Sequence, residues 1–450
     1  MGIVSKIFDP TIKRTQIKLS TAGMPADLKT DYKESLGYSP VVYYNNHQIQ
    51  LDDMKSLIIN NEGLFPTITL LFKDSLNIMG DRSFPLDNVL VTVFINPRAD
   101  EFEPIHCDFK ITTFSIVKKE DASNLMKLEG VLNVDYLYLQ KSYSIPQQTS
   151  FNALKEIARE AEMGFSTNIG STNDQMTWIN PGDEGINFIK HITEMSYLSD
   201  EAFLYSFVDY YYYLNFVDIE KVFEENINDQ KSIMSISMTV DKNIQSDQSV
   251  TQLILTNDKS HKDTNGYFEH YDILNQSTEN ALKYGHKRKI HYYDRSGNWN
   301  EKAGKFMVFD MDTITTPGAD GNSIILKGLP GDEKFLKNNI KNVYTGKLDR
   351  DNMHKDATYA LAQNKQNIID AQKMIVQIHM PTPNYLLYRY QKVQMIFSQQ
   401  APTVTASQTN NRLSGHWVII GITNKYSKGQ NDQIVTLIKR ELNKDGTINH

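Results

Sequence analysis

Residues able to do chemistry fall in four places. The stretch His261 to Asp272 reads HKDTNGYFEHYD, and Asp263, Asn265 and Gly266 match the third, fifth and sixth positions of an EF-hand calcium loop. Its first position is His261 where the loop wants Asp, its twelfth is Asp272 where it wants Glu, and no clear helices flank it. A polar turn is therefore the better reading. Asp310 to Asp320 (DMDTITTPGAD) could gather carboxylates round a cation, but a Pro-Gly loop needs no metal to explain it. His286 to His291 (HKRKIH) could touch phosphate. With no aromatic platform or groove-reading helix beside it, a solvated loop face is expected. Cys107 follows His106, but neighbours in a strand point to opposite faces, so a thiol–imidazole pair is not expected and a buried structural cysteine is.

Hydrolase signatures are missing. No Gly-x-Ser-x-Gly elbow, no HExxH and no phosphate-binding glycine loop occurs in the chain. A pair of well-placed carboxylates is the one hydrolytic arrangement left open. The expectation is a protein that is not an enzyme and carries no catalytic residue, no metal and no cofactor.

The elements around these residues are mostly strands. With 450 residues, two to four domains are expected. An apolar share of 40% with 22% charged residues excludes bulk disorder. No run of 18 apolar residues exists, so no transmembrane helix and no membrane insertion are expected. The opening MGIVSKIFDP has no apolar leader region, and Met1-Gly2 with Ser5-Lys6 matches a myristoylation start only loosely. One cysteine suits a reducing cytoplasm. A net charge of −7 without a large basic block argues against tight nucleic-acid binding.

Residues 1–35 read as an N-terminal arm. Short β-like runs then follow at 41–44, 54–60, 67–73 (TITLLFK), 88–96 (NVLVTVFIN), a long one at 105–118, and 126–134. Strands with polar turns and no helices between them predict an antiparallel barrel or sandwich over 36–142. The period then changes. Phe151, Leu154, Ile157, Ala158 and Ala161 have helical spacing, with Thr149 or Ser150 as N-cap and Gly164 as the stop. Ile186, Phe188, Ile189, Ile192 and Met195 predict a second helix, and the aromatic 202–219 predicts two strands joined near Asp209. This makes a mixed α/β domain at 143–225.

A strand at 232–240 and strands at 374–380, 393–398, 417–423 and 434–438 predict a second antiparallel barrel from 226–241 and 371–450. Between them 242–370 is polar and reads as an external insertion, with short strands at 305–310 and 323–327 and helical character from Asp356 to Met374. Residues 399–412 read as a mobile linker. The closing stretch LSGHWVIIGITNKYSKGQNDQIVTLIKREL, Leu413 to Leu442, reads as a hairpin whose polar turn spans Asn424 to Gln433.

Three stretches carry a family resemblance. They are SIPQQTSFNALKEIAREAEMGFSTN with the following NFIKHITEMSYLSDEAF and YYYYLNFVDI, then MIVQIHMPTPNYLLYRYQKVQMIF, then GHWVIIGITNKYSKGQNDQIVTLIKREL. In these the chain resembles the baseplate hub proteins of contractile-tailed bacteriophages, related in fold to the hub part of type VI secretion spike proteins. The resemblance covers most of 36–442 and leaves the 242–370 insertion unexplained. It implies a mainly β chain with two tail-tube-like barrels flanking the mixed domain. It implies a homotrimer that joins a hexameric tail tube to a trimeric central spike, with wedge proteins as further partners and DNA passing without specific binding. It places the protein in the virion tail baseplate, assembled in the host cytoplasm. A hub that also degrades peptidoglycan, and a type VI-like or tailocin apparatus, are the alternatives. Expected ring contacts between subunits are Leu70, Leu71, Phe72, Val91, Val93, Trp417, Ile419, Val435 and Leu437.

Overall fold

The computed structural model describes residues 40–224 and 254–443, with internal breaks of which the largest are 78–88, 96–104, 277–286, 295–305, 312–322 and 326–337. The expected arm at 1–35 and strand at 232–240 lie outside the described residues.

Seven strands come first: β1 (Val41–Tyr44), β2 (His47–Ile49), β3 (Met54–Asn61), β4 (Thr67–Lys73), β5 (Leu90–Ile95), β6 (Ile105–Glu120) and β7 (Ser123–Leu132). Alternate residues of β3 and β4, Leu57, Ile59, Ile68, Leu70 and Phe72, are buried, as the period of two requires.

The mixed region follows with β8 (Gln140–Gln148), α1 (Ser150–Glu160), β9 (Gly164–Thr167), β10 (Met176–Glu184), α2 (Gly185–Met195), β11 (Leu204–Val208), β12 (Tyr213–Asp218) and α3 (Ile219–Glu224). Thr149 Oγ1 accepts the Asn152 N–H at 3.3 Å, so Thr149 is the N-cap of α1. The helix stops earlier than the expected Gly164. Glu162 takes a φ of +56°, and the Met163 N–H returns to the Ala158 carbonyl at 2.8 Å. Gly164 instead opens β9, beneath the Tyr213 ring, where a Cβ would collide. The aromatic segment forms the expected pair: β11 and β12 are antiparallel, and Asp209 Oδ1 takes the Tyr211 and Tyr213 N–H groups at 2.8 and 3.0 Å in the turn. β12 also pairs with β9 in parallel.

The last strands are β13 (Ile254–Thr256), β14 (His270–Asn275), β15 (Lys287–Asp294), β16 (Phe306–Met311), β17 (Ser323–Ile325), β18 (Asn338–Thr345), β19 (Met374–Met380), β20 (Lys392–Ile396), β21 (Ser398–Gln400), β22 (Ser407–Thr409), β23 (Gly415–Ser427), β24 (Gln430–Lys439) and β25 (Glu441–Asn443). The expected linker thus holds a small hairpin, β21 with β22. The expected insertion is not wholly external, since β14 pairs with β19.

Two closed barrels are not what these strands build. The two strand-rich regions share one 13-stranded sheet, eleven strands in the order β14-β19-β24-β23-β3-β4-β7-β6-β5-β1-β2 with β20 branching from β23 and β13 pairing with β20, and among the described residues no sheet closes on itself. The reason lies in β23. The polar stretch from Asn424, expected as a turn, continues as strand because its far side pairs with β3, Thr423 with Asn60 and Tyr426 with Leu57. The turn shrinks to the residues round Gly429, whose φ is +81°. Thirteen residues reach about 43 Å, enough to serve both halves of the chain. The first part of β23 pairs with β20 and its last part with β3, while β24 lies along the other edge.

The change of partner occurs at a bulge. The β23–β24 ladder jumps from Ile419 to Gly421. Arg389 Nε donates to the Ile420 carbonyl at 2.7 Å, and its two terminal nitrogens donate to Gly63 O at 2.6 Å and Glu62 O at 2.9 Å. The same guanidinium lies over the Phe207 ring at 4.1 Å. One buried side chain therefore ties together β23, the end of β3 and β11. Residues from the end of the insertion fasten onto α2 in a similar way. Asn364 Nδ2 donates to Thr193 O at 3.1 Å and Ser196 O at 2.9 Å, Gln363 Nε2 to Asp200 O at 2.5 Å, and His354 Nε2 lies 2.8 Å from Met195 O. The Thr193, Met195 and Ser196 carbonyls lie at the end of α2, where a helix leaves carbonyls short of partners, and Asp200 lies in the stretch beyond it.

Candidate assembly surface

The residues expected to make ring contacts sit on interior strands. β4 lies between β3 and β7, β5 between β6 and β1, β24 between β19 and β23, and β23 has partners on both edges. Leu70, Phe72, Val91 and Val93 join one apolar cluster, and Trp417, Ile419, Val435 and Leu437 a second. All eight are buried within the protomer, and Leu71 is half-buried.

Strand edges with no neighbouring strand among the described residues are found elsewhere. β5 accompanies β6 only from Ile105 to Lys110, and the Ile111 N–H reaches Val89 O at 3.2 Å. From Thr112 to Val117, β6 pairs with β7 on one edge and has no strand on the other among the described residues. Bulges at Thr112 and Val117 bracket a regular stretch, Thr113 to Ile116. β14 likewise has no strand on the edge away from β19 among the described residues. Ile116 and Val117 are exposed by 46% and 55%, and Ile273 and Leu274 by 38% and 46%. The sequence signal for the first edge was the unusual length of the 105–118 run. Its Thr-Thr-Phe-Ser-Ile-Val stretch is uncharged, and Lys118, Lys119 and Glu120 follow it at the end of β6.

The chemical candidates do not assemble. Of the calcium-like loop, His261, Asp263 and Asn265 lie outside the described residues, and Asp272 is an exposed member of β14. Of Asp310 to Asp320, only the start belongs to β16, and 312–320 lie outside. The basic HKRKIH run is not a loop. Its backbone from Lys287 forms β15, paired with β16 and β18. Among the described residues no three His, Cys, Asp or Glu side chains come together as a metal site.

Cys107 and His106 face opposite ways, as the strand requires. Cys107 is fully buried, with Sγ donating to Tyr210 O at 3.1 Å. His106 packs against Phe94 with ring centroids 3.7 Å apart, and burial holds its imidazole neutral, with a pKa brought down to about 3. Its Nε2 has no partner among the described residues. A depressed histidine pKa makes the unfolded chain bind the extra proton, so stability is complete above the unfolded value of about 6.5 and falls as pH drops towards 3. At pH 5 this amounts to about 2 kcal/mol. His106→Phe is expected to be about 2 kcal/mol less sensitive than wild type to a change from pH 7.5 to 5 in urea unfolding. The comparison isolates His106, because the buried Asp108 carboxyl, pushed up by desolvation and with the opposite slope, is present in both proteins. Equal losses in the two proteins would show that His106 is solvated.

No protein-family model and no curated protein matches the chain. Among solved structures the chain is similar to the tail protein from Neisseria meningitidis MC58, at 11% identity and a TM-score of 0.48, over 90% of this chain and 97% of that one. It is similar to the 43 kDa tail protein of prophage MuSo2 from Shewanella oneidensis, at 8% identity and a TM-score of 0.48, over 89% of this chain and 98% of that one. It is also similar to a chain of the Francisella PdpA–VgrG complex, at 10% identity and a TM-score of 0.44, over 94% of this chain and 56% of that one.

Proposed function

We propose that the chain is a structural hub subunit of a contractile-tail baseplate, which works as an adaptor and not as an enzyme. Three copies form a hollow ring that receives the hexameric tail tube on one face and the trimeric spike on the other, and DNA passes through it without specific binding. The observation that carries this reading is the 13-stranded sheet that both strand-rich regions share, which among the described residues does not close on itself and has no strand beside the outer edge of β14 or beside Thr112–Val117 of β6. Backbone donors and acceptors exposed along an apolar edge are a liability in a lone protomer and an asset in an assembly. The stretches that resemble baseplate hubs supply two main parts of this sheet, β19–β20 and β23–β24, and the mixed region beside it.

Sedimentation velocity and negative-stain microscopy of the purified chain test the proposal. Hollow three-fold particles with a mass near three chains of 51.7 kDa are expected. Monomers that persist when the chain is co-produced with its tail-tube and spike proteins would overturn it.

A further inference from the structure

From Met353 to Asn364 the described residues form a strap across the exit of α2, and its side chains bond main chain there. Asn364 Nδ2 donates to Thr193 O at 3.1 Å, Glu194 O at 3.4 Å and Ser196 O at 2.9 Å, while its Oδ1 takes the Leu204 N–H at 3.2 Å. Gln363 Nε2 donates to Ser199 O at 3.3 Å and Asp200 O at 2.5 Å. His354 Nε2 lies 2.8 Å from Met195 O, and Tyr359 OH donates to Asp200 O at 3.5 Å. One amide, that of Asn364, thus holds the end of α2 to the start of β11 and closes the 196–203 segment between them.

The apolar hold on the strap is small. Among its described residues the buried apolar side chains are Ala357 and Ala360, Met353 is half-buried against the main core, and the Tyr359 ring meets the Tyr197 ring edge-on at 6.1 Å. Carbonyls released by an amide are taken over by water at a modest net cost, whereas re-exposing large apolar side chains is expensive. Segments held in the first way open before the core does. We propose that this strap is a detachable clasp, which undocks as a unit while the main sheet stays folded and frees the end of α2 and the 196–203 segment. It is a conformational device that joins the end of the 242–370 region to the mixed region, and it does not depend on the hub reading. Asp174 limits the reach of the opening. Its Oδ2 holds the Tyr197 N–H at 2.8 Å and its Oδ1 the Ser150 N–H at 2.8 Å, so α1 stays anchored when the strap leaves.

Native-state hydrogen exchange of the full-length chain, read by mass spectrometry, tests this. The reporters are the amides of Ala357 and Ala360 in the strap, bonded to the His354 and Asp356 carbonyls, and those of Ser196, Ala202 and Leu204 beneath it. After correction for intrinsic rates, peptides over 353–364 and 193–204 are expected to share one protection factor, at least about tenfold below that of β23 and β24. Asn364→Ala is expected to speed exchange in both segments on the order of 30-fold, and Gln363→Ala about fivefold, with α1, β4 and β24 unchanged. Exchange of both segments in the wild type only as slowly as β23 and β24 would make the strap a fixed part of the core and overturn the proposal. Faster exchange of 353–364 alone in either variant would show that the strap does not hold the exit of α2, and would overturn it too. Should Asn364→Ala fail to fold, the wild-type comparison and Gln363→Ala still decide.

Discussion

Arg389→Ala is expected to destabilise the protein by about 4 kcal/mol, the largest loss from any single substitution considered for this chain. The side chain is 4% exposed, and among the described residues no carboxylate forms an ion pair with it. Its charge is balanced by three carbonyl oxygens, of Ile420, Gly63 and Glu62, and by the faces of Phe207 and Tyr390, 4.1 and 5.6 Å away. Removal leaves three carbonyls without donors, and each unsatisfied buried group costs about 1–3 kcal/mol. It also opens a cavity where β23 changes partner. Arg389→Lys is expected to lose about half as much, because an ammonium reaches one or two of the carbonyls but cannot span all three as a planar fork. Arg389→Met restores volume and no donor, and should fall close to Ala. Chemical unfolding followed by tryptophan fluorescence reports these differences. A loss below about 1 kcal/mol for Ala would mean that water satisfies the carbonyls and that Arg389 does not hold the two halves of the sheet together.

Asp174→Ala is expected to cost about 3 kcal/mol. The carboxylate is fully buried and accepts four hydrogen bonds. Oδ1 takes the Ser150 N–H at 2.8 Å and Thr172 Oγ1 at 2.7 Å, while Oδ2 takes Ser150 Oγ at 2.5 Å and the Tyr197 N–H at 2.8 Å. Ser150 is the first residue of α1, so the negative charge also meets the positive end of the helix dipole. Tyr197 lies just beyond α2, so one side chain joins the start of one helix to the exit of the next. Asp174→Asn is expected to lose nearly as much as Ala, because an amide nitrogen would face donors. Thermal unfolding of the two variants measures this, and an Asn variant as stable as wild type would show that the site tolerates a donor and that charge is not what holds it. The Ser150–Asp174 contact is not a nucleophile pair. Both groups are enclosed, and the carboxylate is fully occupied as an acceptor.

Much of the local structure was legible. The spacing of Leu154, Ile157 and Ala158, with Thr149 before them, is enough to place α1, because a cap and an apolar stripe are properties of consecutive residues. Ile186, Phe188, Ile189, Ile192 and Met195 place α2 in the same way. The alternation in TITLLFK places β4 and identifies Leu70 and Phe72 as core. The residues expected to join subunits were chosen for apolar strand character, and that character marks the middle of a sheet as readily as its margin. Trp417 and Leu437 are buried inside the protomer for this reason, whereas Ile116 and Leu274 are exposed.

By itself, then, the sequence determined many of the strands, the two main helices, the Thr149 cap of α1 and the separation of Cys107 from His106 on opposite faces of one strand. Only the tertiary structure decided which edges meet. Thr423 sits beside Asn60 although 363 residues separate them, and that pairing turned an expected polar loop into strand and two expected barrels into one open sheet. The physical reason is that periodicity records which face of a strand is dry, a matter of neighbouring residues. The edge partner is chosen by backbone hydrogen bonds that carry no side-chain signature, and by distant groups such as Arg389 that satisfy what the ladder leaves over.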